Sequence, residues 1–116
     1  MIAFERGDRN VALILKGALA FGSRVIVPAG ALAQVWRGGA RSAPLSRVVD
    51  AAEIEPLDEA RAKEIGERLG SRGATDVTDA HVVCCAVEHC AAVATSDSDD
   101  IRALAGPGET IALIEV

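Results

Sequence analysis

The chain has 116 residues, a formal net charge of −5 and a composition that is half hydrophobic, yet only three of its residues are aromatic. That is a single domain (residues 1–116) with an aliphatic core, large enough to stand without disulfides, and it excludes collagen-like repeats, disorder and separate catalytic and binding modules. The charge is polarised: residues 1–47 carry seven bases against two acids, a balance of +5, whereas residues 48–116 carry five against fifteen, a balance of −10.

Asp8 followed by Val11, Leu13, Ile14, Leu15 and Leu19 predicts a capped, apolar-faced helix stopped by Gly22. Arg24-Val25-Ile26-Val27 is a short β-branched run halted by Pro28 and predicts a buried strand. Helices are expected over Ala31 to Trp36 and Ala43 to Ala52, with a weak strand from Glu53 to Leu57. Asp58 then caps an amphipathic helix with Ala60, Ala62, Ile65 and Leu69 on its apolar side, ending at Gly70. Thr78 or Asp79 opens the next helix, Ala80 to Cys90, which is apolar nearly all round and therefore buried. A strand at 91–95, a helix from Ser98 to Leu104 and a strand from Thr110 to Val116 complete the pattern. Strands alternating with helices predict an α/β fold, a three-layer α/β/α sandwich on a mostly parallel sheet.

Ligands of open parallel sheets bind beyond the carboxyl ends of the strands. The strand ending at Thr95 runs into Ser96-Asp97-Ser98-Asp99-Asp100, and Asp76 and Asp79 begin the helix before it. If both segments meet at one edge, the carboxylates repel one another unless a divalent cation lies between them, and hard oxygen donors suit Mg²⁺ or Mn²⁺. The competing reading makes Asp97 or Ser98 and Asp79 helix caps.

His81, Cys84 or Cys85, Glu88 and His89 share parts of a helical face and can in principle hold zinc, although a cysteine in a buried helix usually behaves as a small hydrophobe. Trp36 reads as a core residue and Arg37 as a helix-end residue suited to the dipole, the alternative being that Arg37 and Arg41 flank the acids and hold a phosphate backbone. Three cysteines within seven residues make no disulfide framework, so a reducing cytoplasm is expected. Neither a signal peptide nor a membrane span is expected. No glycine cradle for nucleotides and no serine nucleophile elbow is present.

Taken together, Ile2 to Asp8, Val27-Pro28 through Gln34-Val35-Trp36-Arg37-Gly38-Gly39, Asp76 to His81 and Thr95 to Asp100 resemble the PIN-domain ribonucleases, in particular the VapC-like toxins of bacterial toxin–antitoxin pairs. The resemblance implies metal-dependent endonucleolytic hydrolysis of RNA, with Asp79, Asp97 and Asp100 as acidic site residues and Asp76 as a neighbouring metal ligand. Thr95 or Ser96 would supply a supporting hydroxyl. It also implies a homodimer and an antitoxin-like partner.

Two departures accompany the resemblance. The family's first strand, which is central and ends in an acid, falls before the segment that begins at Met1, so that strand and its ligand are expected to be missing through a misplaced start or a truncated product. The family's second acid aligns with Gln34, which is neutral. Glu5 or Asp8 can stand in as a ligand, although Asp8 fits an N-cap better. The rival expectations are a catalytically impaired PIN-like module that binds RNA or protein, and a small α/β ligand-binding or phosphoacceptor domain that uses Asp97 without metal.

Overall fold

The computed structural model describes residues 20–115, apart from 21, 23, 40–42 and 96. The elements are β1 (Ile26–Pro28), α1 (Ala29–Val35), α2 (Ala43–Ala51), β2 (Glu53–Glu55), α3 (Glu59–Arg72), α4 (Val77–His89), β3 (Val93–Thr95), α5 (Ser98–Leu104) and β4 (Leu113–Glu115). The helix expected between Asp8 and Gly22 lies outside the described residues save for helical Ala20 and for Gly22, whose φ of 76° is the left-handed value a helix-ending glycine supplies.

The chain is α/β, and both strand pairings are parallel. β1 pairs with β2 in the register Ile26–Glu53, Val27–Ile54 and Pro28–Glu55, and β3 pairs with β4 in the register Val93–Leu113, Ala94–Ile114 and Thr95–Glu115. Among the described residues these are two separate two-stranded sheets, not the one continuous sheet expected. β1 and β3 are buried throughout, as strands covered on both faces are, whereas Glu53 and Ile54 of β2 are exposed. No described helix is long and apolar enough to cross a membrane.

The core gathers around α4, which packs against α1, α3, α5 and β1. Every residue from Asp79 to Ala86 is buried, as its all-round apolarity predicts. Its alanines, valines and cysteines are short, so neighbouring helices approach closely. Ile65 of α3, with Ile101 and Leu104 of α5, fills the remaining space. Burying side chains of this size contributes about 1.5–3 kcal/mol each.

Several boundaries differ from expectation, for local reasons. α3 runs through Gly70 to Arg72, because Gly73, at φ 61°, supplies the left-handed residue that ends it. α4 starts earlier than Thr78 or Asp79, since Asp76 caps it. Within α3 the buried face is rotated from the one expected: Ala60 and Ala62 are exposed, and Arg61 is buried with Ile65. Arg61, Ile65, Arg68 and Leu69 form one stripe at helical spacing. Its two arginines are inside because carboxylates from other elements meet them there.

Candidate functional site

The acidic residues lie in two turns, one at the start of α4 and one after β3. In the first, Asp76 Oδ1 accepts from the Asp79 amide at 2.9 Å, satisfying one of the free donors at the start of α4. Asp79 therefore is not the cap; it lies in the first turn with only 6% of its surface exposed. In the second, Thr95 is fully buried at the end of β3 and its Oγ1 accepts from the Asp97 amide at 3.0 Å. Asp97 occupies the N-cap position of α5, but its side chain makes no capping bond. Capping thus accounts for Asp76 and not for Asp79 or Asp97.

Asp99 and Asp100 are exposed in the first turn of α5, where negative charge complements the helix dipole, and Asp99 lies 3.7 Å from Arg102 one turn on. Gly30, in the first turn of α1, packs on the start of α4: a Cβ there would meet Thr78 Oγ1 at 3.6 Å and His81 Nδ1 at 3.7 Å. Gln34, one turn further along the same face of α1, is exposed.

Arg37 Nη1 donates to the Trp36 carbonyl at 2.8 Å, the helix-end role expected of it. Trp36 itself is 41% exposed, contrary to the core expectation. α1 ends one residue earlier, and the extended backbone at Trp36 (φ −72°, ψ 126°) carries the residue out of the helix. Arg41 and Ser96, together with Glu5 and Asp8, lie outside the described residues.

A second polar centre lies where β2, α3 and α4 meet, and its hub is Glu55. Oε1 of Glu55 accepts from Arg61 Nη2 at 2.6 Å, and Oε2 is 2.7 Å from Nε2 of His81, which is wholly buried. Arg61 also bonds Glu64 at 2.7 Å and Glu88. Burial by itself would push the Glu55 carboxyl up, but hydrogen bonds from Arg61 and His81 hold it below the usual carboxylate range. For Arg61 burial works against the charge, and its carboxylate partners more than offset it.

Cys85, one turn before His89 on α4, has its thiol pushed up to about 12, mainly by burial and further by Glu55. Among the described residues, Glu55, Cys85 and His89 form one group of three potential ligands, with an atom of each within 4.8 Å of the others. The edge aspartates make no such group.

A third centre ties α3 to the segment before β4. Arg68 holds Glu109 through Nη1 at 2.6 Å and Nη2 at 3.0 Å, donates to the Leu104 carbonyl at 2.9 Å and places Nε 3.3 Å from Cys84 Sγ. Arg68 and the Gly106 amide pull the Glu109 carboxyl down to about 2. Burial raises the Cys84 thiol, with Arg68 acting the other way.

Sequence reasoning identified Cys85 and His89 as potential ligands but missed Glu55, and it missed both arginine centres. The one local signal was the spacing of Arg61, Glu64, Ile65 and Arg68, which puts charge on the buried stripe. The chain matches no protein-family model and no curated protein.

Proposed function

We propose that this chain is a PIN-like domain, a three-layer α/β/α sandwich whose acidic edge performs divalent-metal-dependent hydrolysis of RNA. The observation that carries the reading is that Asp97 stands at a helix N-cap without capping, in a turn held instead by the buried Thr95 hydroxyl. A carboxylate at the carboxyl end of a parallel strand, not consumed by the helix it precedes, is available to a ligand. Asp79, in the first turn of the neighbouring helix, is its partner in this reading.

The residues suit Mg²⁺ or Mn²⁺. These ions keep several waters and are commonly held through one or two carboxylates together with substrate phosphate, so two aspartates suffice and a third protein acid is not required. Asp79 and Asp97 would hold the ion, with Asp100, exposed in the first turn of α5, and Asp76 as the further acids of the reading. When bound, such an ion supplies a water of lowered pKa and stabilises charge on the leaving oxygen. Thr95 positions Asp97 through its amide, and Gln34 can donate to or accept from the substrate but adds no charge.

Arg37 and Arg41, in the basic half of the chain, are the candidates for phosphate contacts. The exposed Trp36 favours a further role as a contact for an antitoxin-like protein or a second copy in a homodimer, since large exposed aromatics are characteristic of interfaces.

The test is cleavage of a single-stranded RNA by the full chain with Mg²⁺ or Mn²⁺. Asp79→Asn and Asp97→Asn are each expected to lower the rate by about a hundredfold or more, a loss of several kcal/mol of charge stabilisation, and a chelator is expected to abolish it. Cleavage unchanged by both substitutions, or indifferent to chelator, rejects the assignment.

A further inference from the structure

The cluster around Glu55 serves no step at the acidic edge, yet its chemistry is that of a site. We propose that Glu55, Cys85 and His89 bind a borderline-soft divalent ion of the zinc class.

The placement is set by simple periodicities. Cys85 and His89 are four apart on α4 and so share a face, and the end of β2 delivers Glu55 to that face. Zinc bound by sulfur at about 2.3 Å and by nitrogen and oxygen at about 2.0–2.2 Å separates neighbouring tetrahedral donors by about 3.5 Å. His89 Nε2 already stands 3.6 Å from Glu55 Oε1. The same nitrogen stands 3.6 Å from Glu88 Oε2, and both distances are too long for a hydrogen bond.

Charge points the same way. Arg61 touches Glu55, Glu64 and Glu88, three carboxylates against one guanidinium, so with neutral histidines the cluster carries two negative charges that Arg61 leaves uncompensated. A divalent cation offsets them, and the thiolate formed at Cys85 on binding leaves the occupied cluster with one negative charge.

His81 orients the carboxylate. Its Nδ1 is buried with no hydrogen-bond partner among the described residues, so the tautomer that strands no N–H carries its proton on Nε2 and donates to Glu55 Oε2. Oε1 is then the oxygen turned toward His89. Carboxylates that ligate a metal are themselves commonly held by hydrogen bonds, and His81 supplies one to Glu55.

A cleft of about 420 Å³ lined by Glu55, Arg61, Glu64, Glu88 and His89 among others opens onto two of the three ligands and leaves room for water, while Cys85 is fully buried and does not line it. Thiol and imidazole donors select zinc-like ions over Mg²⁺. On binding, the sulfur–metal bond forms as the Cys85 S–H bond breaks, and the proton leaves to solvent. Cys85 follows Asp79 by six residues, about 9 Å along α4, so the two metal preferences belong to separate places.

The probe is Co²⁺ added to the full chain, followed by displacement with Zn²⁺. The expected result is a near-ultraviolet thiolate-to-cobalt charge-transfer band with tetrahedral visible bands, both removed by Zn²⁺. Cys85→Ser is expected to eliminate the charge-transfer band, while Cys90→Ser, at the exposed neighbouring thiol, and Asp97→Asn leave it intact. His89→Gln is expected to weaken Zn²⁺ binding by at least about tenfold; it decides the matter alone if Cys85→Ser does not fold. Absence of the band, its survival in Cys85→Ser, its loss in Cys90→Ser, or unchanged affinity in His89→Gln overturns the site.

Discussion

The acidic edge and the Glu55 centre use the same functional group in opposite ways. At the Glu55 centre, and likewise at Glu109, each carboxylate is gripped by an arginine from another element, and its bonds hold α3 against its surroundings. At the edge, Asp76 is spent on capping α4, but Asp97 sits at the cap of α5 without capping it. A carboxylate that stabilises the fold is identified by what it bonds. At the edge, a carboxylate open to a ligand is identified by a structural task that its position offers and its side chain does not perform, whereas Glu55 would take its ion while keeping its bonds to Arg61 and His81.

That contrast can be broken at four places. The largest effect is expected at Arg61: Arg61→Met leaves the half-buried Glu55 beside His81 without its cation, and should cost about 3 kcal/mol in urea unfolding. A cost under about 1 kcal/mol would mean that the centre does not hold the fold.

Glu109→Gln is next, at about 1.5 kcal/mol at neutral pH, reduced because the side chain is partly exposed. The substitution also carries a pH signature. The folded carboxyl titrates at about 2 and the unfolded one near 4.3, so its contribution is complete above the unfolded value and is lost as pH falls toward 2. Stability measured from pH 5 down to pH 2 should therefore fall more steeply in the wild-type chain than in Glu109→Gln, and parallel curves would contradict the role given to Arg68.

Asp76→Ala should cost about 1 kcal/mol, the ordinary worth of an N-cap, in thermal or urea unfolding. The smallest effect is expected at Asp97. Asp97→Asn should change stability by no more than about 0.5 kcal/mol while removing cleavage. A loss at Asp97 equal to that at Asp76 would make the two residues alike and erase the distinction between the regions.

Much of this architecture is legible in the chain. The β-branched run ending at Val27 predicts a buried strand and residues 91–95 a short one, Asp58 marks the start of α3, and the nearly all-round apolarity from Ala80 onward predicts a buried helix. The acidic residues that flank β3 and open α4 can likewise be picked out by their position beside predicted elements. These features are local, because propensity, capping and periodicity act over one to four residues.

What the chain did not disclose is which aspartate caps and which does not, since Asp76, Thr78 and Asp79 all have capping chemistry and only the backbone path chooses among them. It gave no sign that Trp36 is turned outward. Nor did it reveal Glu55 as the hub of a polar centre, because its partners lie between 6 and 34 positions away and nothing in the residues between them encodes the meeting.

The sequence by itself thus determined the elements, the buried helix and the reservoir of acids. Tertiary structure alone decided which charges neutralise one another and which remain for a ligand, because an ion pair depends on distance in space and a helical or strand period carries no information about distances between elements.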